Sequence, residues 1–83
     1  MKTIPIFGRR MAQVREQQGL TQQELAARAG TSYQTIWRIE RGIHKEPGVY
    51  LAGRIARALH TSVDFLCGAY DTKDSEQLAA VAS

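Results

Sequence analysis

The chain has 83 residues, of which 43% are hydrophobic, so it can build one compact domain with a modest core and is not wholly disordered. No apolar run approaches the roughly 20 residues of a membrane span, and the N-terminus lacks the apolar stretch of a signal peptide. Cys67 is the only cysteine, which excludes an internal disulfide. The sequence therefore predicts a soluble protein of a reducing, cytoplasmic compartment.

The net charge of +3 is unevenly distributed. Residues 1–68 hold ten Lys and Arg against five Asp and Glu, a difference of +5, whereas residues 69–83 hold one Lys against three acidic residues, a difference of −2. A basic body with a mildly acidic tail suits a polyanionic partner such as nucleic acid. A solvated surface that only maintains solubility would carry the same charge, so the charge leaves both interpretations open.

Residues 5–30 predict two helices. Gly19 supplies the residue that commonly ends a helix in the left-handed conformation. The second helix begins with a capping box, in which Thr21 caps the chain and Glu24 reaches back to it, and Gly30 ends it. The inner faces of the two helices comprise Phe7, Met11, Val14, Leu25, Ala26 and Ala29.

Residues 32–42 predict a third helix, capped by Ser32 and ended by Gly42. At about 100° per residue its large polar side chains fall on one face, nearly opposite Ile36 and Ile39. A helix that only had to stay soluble would carry Lys, Glu and Ala there, so this face indicates a binding surface. The polar face comprises Gln34, Arg38 and Arg41, with Tyr33 and Trp37 on its flank.

Two further short helices are predicted after a loop that contains Pro47. The fourth runs from about Val49 to His60, and Ser62 caps a fifth, which Gly68 follows. One face of the fourth helix comprises Val49, Ala52, Ile55, Ala56 and Leu59, and the fifth helix contains Val63, Phe65 and Leu66.

The domain is therefore expected to span residues 1–68, and residues 69–83 form a C-terminal tail. A capped apolar segment in that tail is too short to hold a helix alone. The tail is either frayed or docked on a partner subunit.

The second and third helices are joined only by Gly30 and Thr31, so they cannot form a long antiparallel hairpin. A steep crossing with a glycine in the turn indicates a helix-turn-helix. When such a motif binds DNA, its second helix enters the major groove with its N-terminal residues facing the base edges. Gln pairs bidentately with adenine and Arg with guanine, so Gln34 and Arg38 are chemically suited to reading bases.

Residues 20–42, LTQQELAARAGTSYQTIWRIERG, resemble the helix-turn-helix of the phage-repressor and Cro-like family, the XRE class of bacterial regulators. The resemblance covers roughly residues 7–68 and implies an all-α, five-helix lambda-repressor-like DNA-binding domain. The matching positions are Leu20, Gln22, Glu24, Leu25, Ala26, Gly30, Ile36, Glu40, Gly42, Pro47, Ile55, Ala56, Ala58, Leu59, Ser62, Val63 and Asp64.

The resemblance implies that Tyr33, Gln34 and Arg38 contact bases, although Tyr33 would alternatively pack on the second helix. It places Gln22 where a side chain and backbone N–H grip phosphate, at a helix N-terminus that favours anions; the alternative is a solvated capping residue. Trp37 either covers the edge of the core or leans on the DNA backbone. The residues expected at the DNA backbone are Gln22, Gln23, Thr35, Trp37, Arg41, His44 and Lys45.

Other positions are expected to be structural. The resemblance implies that Arg15 and Glu40 form an ion pair between the first and third helices. Ala52 and Gly53 stand where the family usually has bulky leucines, so the fourth helix is expected to pack either more closely or less stably. The arginines expected on solvated faces are Arg9, Arg10, Arg54 and Arg57.

The sequence predicts neither catalysis nor a metal or cofactor site. His44, His60 and Cys67 lack zinc-ligand spacing, and a single Cys cannot supply the usual structural site. The glycines stand at helix ends rather than in a phosphate-binding loop.

The function expected is sequence-specific binding of double-stranded DNA by a transcriptional regulator, as a dimeric repressor on a palindromic operator. Dimer contacts are expected from Phe65, Leu66, Leu78 and Val81, although Leu66 could instead be pure core. The alternative is an antitoxin that neutralises a toxin partner and autoregulates its operon.

Overall fold

The computed structural model describes residues 5–44 and 47–68. Within these ranges the chain forms helices and no strand, which confirms the predicted all-α, five-helix class. None of the helices described there is long and apolar enough to cross a membrane. The helices are α1 (Ile6–Gln17), α2 (Gln22–Ala29), α3 (Tyr33–Glu40), α4 (Val49–Ala58) and α5 (Val63–Leu66).

Three helices begin with the side-chain caps that the sequence predicts. The Thr21 hydroxyl accepts the Glu24 backbone N–H at 3.0 Å, and the Glu24 carboxylate accepts the Thr21 N–H at 2.9 Å. Ser32 caps α3 and Ser62 caps α5, each by accepting the backbone N–H three residues later. These bonds satisfy N–H groups that have no acceptor inside the helix, which fixes where each helix starts.

Helix ends are set by residues in the left-handed conformation. The sequence predicts that α4 continues to His60, and this is wrong: the helix ends at Ala58, because His60 adopts a φ of +55°. The reversal is closed by the Thr61 N–H, which donates to the Ala56 carbonyl at 2.9 Å. The other positive-φ residues of the described ranges are Gly19, Gly30, Gly42 and Gly68.

The apolar stripes of the helices meet in one core. In that core α2 packs against α3 and α4, while α1 packs against α3 and α5. Because α3 is held between α1 and α2, its opposite face remains open to solvent. The largest fully buried side chains are Met11, Leu25, Ile36, Ile39, Ile55, Leu59 and Leu66.

Two residues assigned from the sequence lie elsewhere. Val49, predicted on the inner face of α4, is 84% exposed, because it is the first residue of the helix and the buried stripe begins at Ala52. Leu66, predicted as a dimer contact, is fully buried in the core and cannot offer a surface to a second subunit. Phe65 beside it is half-buried and packs against the core. Leu78 and Val81 lie outside the described residues.

Two of the arginines predicted on solvated faces also link helices: Arg10 is half-buried, so the prediction is wrong for it, whereas Arg54 is exposed as predicted. The Arg10 guanidinium lies 4.6 Å from the Phe65 ring centroid and donates to the Phe65 carbonyl at 3.3 Å, which ties α1 to α5. Arg54 on α4 donates to the carbonyl of Ala29, the last residue of α2, at 3.0 Å. Because that carbonyl lies at the end of α2, no backbone N–H of its own helix donates to it. The Arg54 guanidinium supplies the missing donor.

The small residues of α4 leave space around that helix. A Cβ at Gly53 would meet no heavy atom within 4 Å. Ala52 lines an apolar cavity of about 410 Å³, to which the starts of α1 and α4 and the α5 region all contribute. Tyr50, the second residue of α4, is 86% exposed.

Candidate nucleic-acid interface

Helix α3 is fixed at both ends. At its start the Ser32 hydroxyl accepts the Thr35 N–H at 3.1 Å and lies 2.9 Å from the Thr35 hydroxyl. At its end the Ile43 N–H donates to the Arg38 carbonyl at 2.9 Å, while the Gly42 N–H donates to the Ile39 carbonyl at 3.1 Å. This pair of bonds is a Schellman motif, which satisfies carbonyls that the helix itself leaves open. The helix therefore presents its outer face in a defined orientation.

That outer face carries planar polar groups that remain free. Gln34 and Arg38 are exposed, and their side chains form no hydrogen bond or ion pair within residues 5–44 and 47–68. Tyr33, at the first position of the helix, is 42% exposed. A Gln amide and an Arg guanidinium with no partner are both available to a hydrogen-bonding ligand.

Trp37 and Arg41 lie together along the side of α3. Trp37 is half-buried, and the exposed Arg41 guanidinium lies 5.1 Å from its ring centroid. A cation over an indole face is an attractive arrangement, so the ring holds Arg41 near the end of the helix. Trp37 thus supports a cation at the surface.

The start of α2 lies beside α3. Gln22 and Gln23 are its first two residues, and first-turn backbone N–H groups have no acceptor within a helix. The Gln23 side chain is exposed, whereas Gln22 is half-buried and its Nε2 donates to Glu40 Oε1 at 2.9 Å. The free N–H groups and the helix dipole favour an anion at this position.

Arg15 and Glu40 form a bidentate ion pair between α1 and α3. Arg15 Nε lies 2.7 Å from Glu40 Oε2, and Arg15 Nη2 lies 3.1 Å from Glu40 Oε1. A third N–H of Arg15 donates to the Leu20 carbonyl at 2.6 Å. The side-chain hydrogen bond with Glu40 raises the pKa of Arg15, more than burial lowers it. Arg15, Glu40 and Gln22 therefore connect the three helices α1, α2 and α3.

The loop after α3 holds the remaining predicted contacts. His44 is half-buried, and its backbone N–H donates to the Arg38 carbonyl at 3.2 Å. Lys45 lies outside the described residues.

Within the described ranges, no group of three or more His, Cys, Asp or Glu residues could hold a metal ion. His60 and Cys67 do not line the same depression of the surface. Cys67 lines the apolar cavity, whereas His60 lies with Arg54 and Arg57 around another one.

A family model described as helix-turn-helix matches residues 11–66, which is more than half of the chain. The chain belongs to the helix-turn-helix family. This confirms the resemblance seen in the sequence, and in DNA-binding members of the family the second helix of the motif reads the major groove. In this helix-turn-helix chain α2 and α3 are the two helices of the motif.

One known relative agrees with this assignment. An uncharacterized HTH-type transcriptional regulator of Methanothermobacter thermautotrophicus is 53% identical over 45 residues, which cover 54% of this chain and 64% of that protein. The relative thus extends well beyond the shared part.

Two solved structures have a similar fold. The SinR protein/SinI protein complex matches with a TM-score of 0.72 and 30% identity, covering 92% of this chain and 75% of that one. Fe(II) HppE in complex with substrate matches with a TM-score of 0.69 and 30% identity, covering 77% of this chain and 37% of that one. The iron and the substrate belong to that protein, of which this chain matches only a minor part.

The bond between Gln22 and Glu40 is one feature of the site that the sequence did not predict. The two residues are 18 positions apart, and no local pattern connects a Gln in a capping segment with a Glu on the next helix. The helix-turn-helix crossing brings them together.

Proposed function

We propose that this helix-turn-helix chain is a sequence-specific transcriptional regulator that reads double-stranded DNA through α3. One observation carries the proposal: Gln34 and Arg38 are exposed on the outer face of a helix whose two ends are fixed, and their side chains form no hydrogen bond or ion pair within the described ranges. Bidentate Gln–adenine and Arg–guanine pairs are the common means of reading the major groove. The relative from Methanothermobacter thermautotrophicus, named as an HTH-type transcriptional regulator, supports the same role.

The contacts divide between bases and backbone. In the proposed complex Tyr33, Gln34 and Arg38 face base edges. The free N–H groups at the start of α2 hold a phosphate, and cations beyond α3 hold the backbone on the other side. The proposed backbone contacts are Gln22, Gln23, Thr35, Trp37, Arg41, His44 and Lys45.

Regulation is proposed to be repression by a homodimer on a palindromic operator. A single domain of this size makes too few base contacts to specify one site in a genome, and two-fold symmetry doubles them. Two copies of α3 would then enter successive major grooves about 34 Å apart. Because Leu66 is buried, the dimer contact is assigned to Phe65 and to the tail residues Leu78 and Val81.

The decisive experiment is selection of bound sites from a random DNA pool, followed by variants on the best site. Arg38→Ala and Gln34→Ala should each cost roughly 1–3 kcal/mol and relax the preference at one base pair of each half-site. Arg57→Ala removes an equal charge from an exposed position on α4 and should leave the base preference unchanged. If Arg38→Ala and Gln34→Ala lose overall affinity but keep the parent's preferences, α3 is not the base-reading helix.

The dimer is tested separately by truncation after Gly68. The shortened chain should keep its helix content by circular dichroism, sediment as a smaller species, and lose more affinity for the operator than for non-specific DNA. If the truncated chain remains dimeric and binds normally, the dimer interface lies within residues 48–68.

An antitoxin is the second candidate, and one observation favours a protein partner. The similar SinR structure is a complex of two proteins, and the largely exposed Val49 and Tyr50 offer an apolar surface for such a contact. The two roles are compatible. Co-purification of a small toxin with the parent chain, lost on Tyr50→Asp while DNA binding persists, would support this candidate; a chain that purifies alone from its native source would count against it.

A further inference from the structure

The side chain of Glu40 holds Gln22 as well as Arg15. Its Oε2 accepts Arg15 Nε at 2.7 Å, and its Oε1 is shared by Arg15 Nη2 at 3.1 Å and Gln22 Nε2 at 2.9 Å. The Glu40 side chain is only 9% exposed. The carboxylate therefore joins the start of α2 to α3 through a bond that water barely reaches.

Such a bond can form in one orientation of the Gln22 amide only. An ionised carboxylate accepts hydrogen bonds and cannot donate one, so the NH₂ group and not the carbonyl oxygen of Gln22 must face it. One amide hydrogen is consumed by Glu40. The second stays on the same nitrogen as a free donor, and the amide oxygen turns away from Glu40.

This orientation matters because phosphate is also an acceptor. An amide that rotated freely would present its oxygen to a phosphate part of the time, and that contact is repulsive. We propose that Glu40 is a positioning residue, which fixes the Gln22 amide so that its second N–H points to a DNA phosphate beside the free backbone N–H groups of α2. The inference rests on the proposed function, because it assigns a role within the same DNA contact.

The charge of Glu40 does not oppose this role. Arg15 contacts both carboxylate oxygens, so the cation offsets the negative charge close to where the phosphate would lie. Glu40 is also on the base-reading helix, one residue after Ile39 and two after Arg38. The bond to Gln22 therefore sets the position of the phosphate contact relative to the base contacts.

The test is a double-mutant cycle of duplex binding with Gln22→Ala and Glu40→Gln. A glutamine at position 40 can accept from or donate to Gln22, so the fixed orientation is lost. Glu40→Gln should raise Kd by about tenfold on every sequence, the equivalent of one hydrogen bond to a charged group. Gln22→Ala should then cost clearly less than it does in the parent, because a freed amide presents its N–H to the phosphate only part of the time.

Arg15→Lys is the matched control. It weakens the same ion pair but leaves the Gln22–Glu40 bond in place, so Gln22→Ala should keep its full effect in that background. All variants are compared at a temperature where circular dichroism shows them folded. Where Glu40→Gln does not fold, Glu40→Asp replaces it, since aspartate keeps the charge beside Arg15 but is too short to reach Gln22.

A second readout locates the phosphate. Duplexes carrying a single methylphosphonate should reveal one phosphate whose neutralisation weakens the parent and Arg15→Lys more than it weakens Gln22→Ala or Glu40→Gln, in which only the backbone N–H groups of α2 still contact that phosphate. A purely structural Glu40 would leave that phosphate effect unchanged, which would overturn the inference, as would additive losses in the cycle. Absence of duplex binding by the parent would overturn the proposed function and this inference together.

Discussion

Arg15→Ala removes the cation from an ion pair whose side chains are only 12% and 9% exposed. The substitution leaves Glu40 with one hydrogen bond, from Gln22, and leaves the Leu20 carbonyl without its 2.6 Å donor. Breaking a buried ion pair on one side costs roughly 3–5 kcal/mol, because the remaining charge stays desolvated. A chain of this length has a total free energy of unfolding of about 4–12 kcal/mol, so the variant should be close to unfolding.

Urea denaturation followed by circular dichroism measures this loss directly, and thermal denaturation should show a midpoint lower by at least about 12 °C. Because the pKa of Arg15 is raised by Glu40, the contribution is fully present below the unfolded-state pKa of arginine and is lost only as pH rises through the higher folded value. Measurements at neutral pH therefore report the whole effect.

Two further variants test whether the loss of stability comes from the unpaired charge of Glu40. Arg9→Ala removes an exposed arginine from the same helix and should change the free energy of unfolding by no more than about 0.5 kcal/mol. Arg15→Met combined with Glu40→Leu removes both charges and should recover most of the loss. A loss below about 1 kcal/mol for Arg15→Ala would refute the reasoning, since that is the value of a solvent-exposed pair.

Three other substitutions test the backbone and the caps. His60→Gly should raise the free energy of unfolding by about 0.5–1 kcal/mol in thermal melts, because glycine adopts the φ of +55° without strain; a decrease would mean that the imidazole makes a stabilising contact. Gly68→Ala should lower it by about 1–2 kcal/mol in urea, since the new Cβ would lie 2.8 Å from Ile6 Cδ1 at a φ of +88°; an unchanged midpoint would contradict the packing described there. The backbone N–H and hydroxyl of Thr21 hold the pKa of Glu24 below its ordinary 4.5, so this contribution is present above pH 4.5 and lost as pH falls through the lowered folded value. Glu24→Gln should therefore flatten the acid side of a stability–pH profile, and a profile as steep as the parent's would show that other carboxylates account for it.

Features of the fold that depend on neighbouring residues were predictable from the sequence. The capping box of Thr21 and Glu24, the Ser32 cap and the short Gly30 turn each involve residues within a few positions of one another, so local pattern determines them. The same holds for the inner face of α3, where helical period alone places Ile36 and Ile39 in the core.

Features that depend on tertiary packing were not predictable. Arg10 meets Phe65 across 55 positions and Arg54 meets Ala29 across 25, and a single exposed-looking arginine carries no signal of its partner. His60 was predicted inside α4 because nothing in its side chain marks a left-handed backbone. An apolar side chain such as that of Leu66 is typical of a core and of an interface alike. Only the packing of α5 on α1 shows that Leu66 belongs to the core.

The two faces of α3 have separate tasks. Ile36 and Ile39 anchor the helix in the core, whereas the exposed side chains of Gln34 and Arg38 form no hydrogen bond or ion pair with the described residues. Mutations on the outer face therefore have little effect on folding, so natural selection can exchange those side chains without first passing through unstable intermediates. A lineage built on this scaffold is expected to diversify its target sites faster than its architecture, and paralogues should differ most at positions 33, 34 and 38 while keeping the inward face nearly constant.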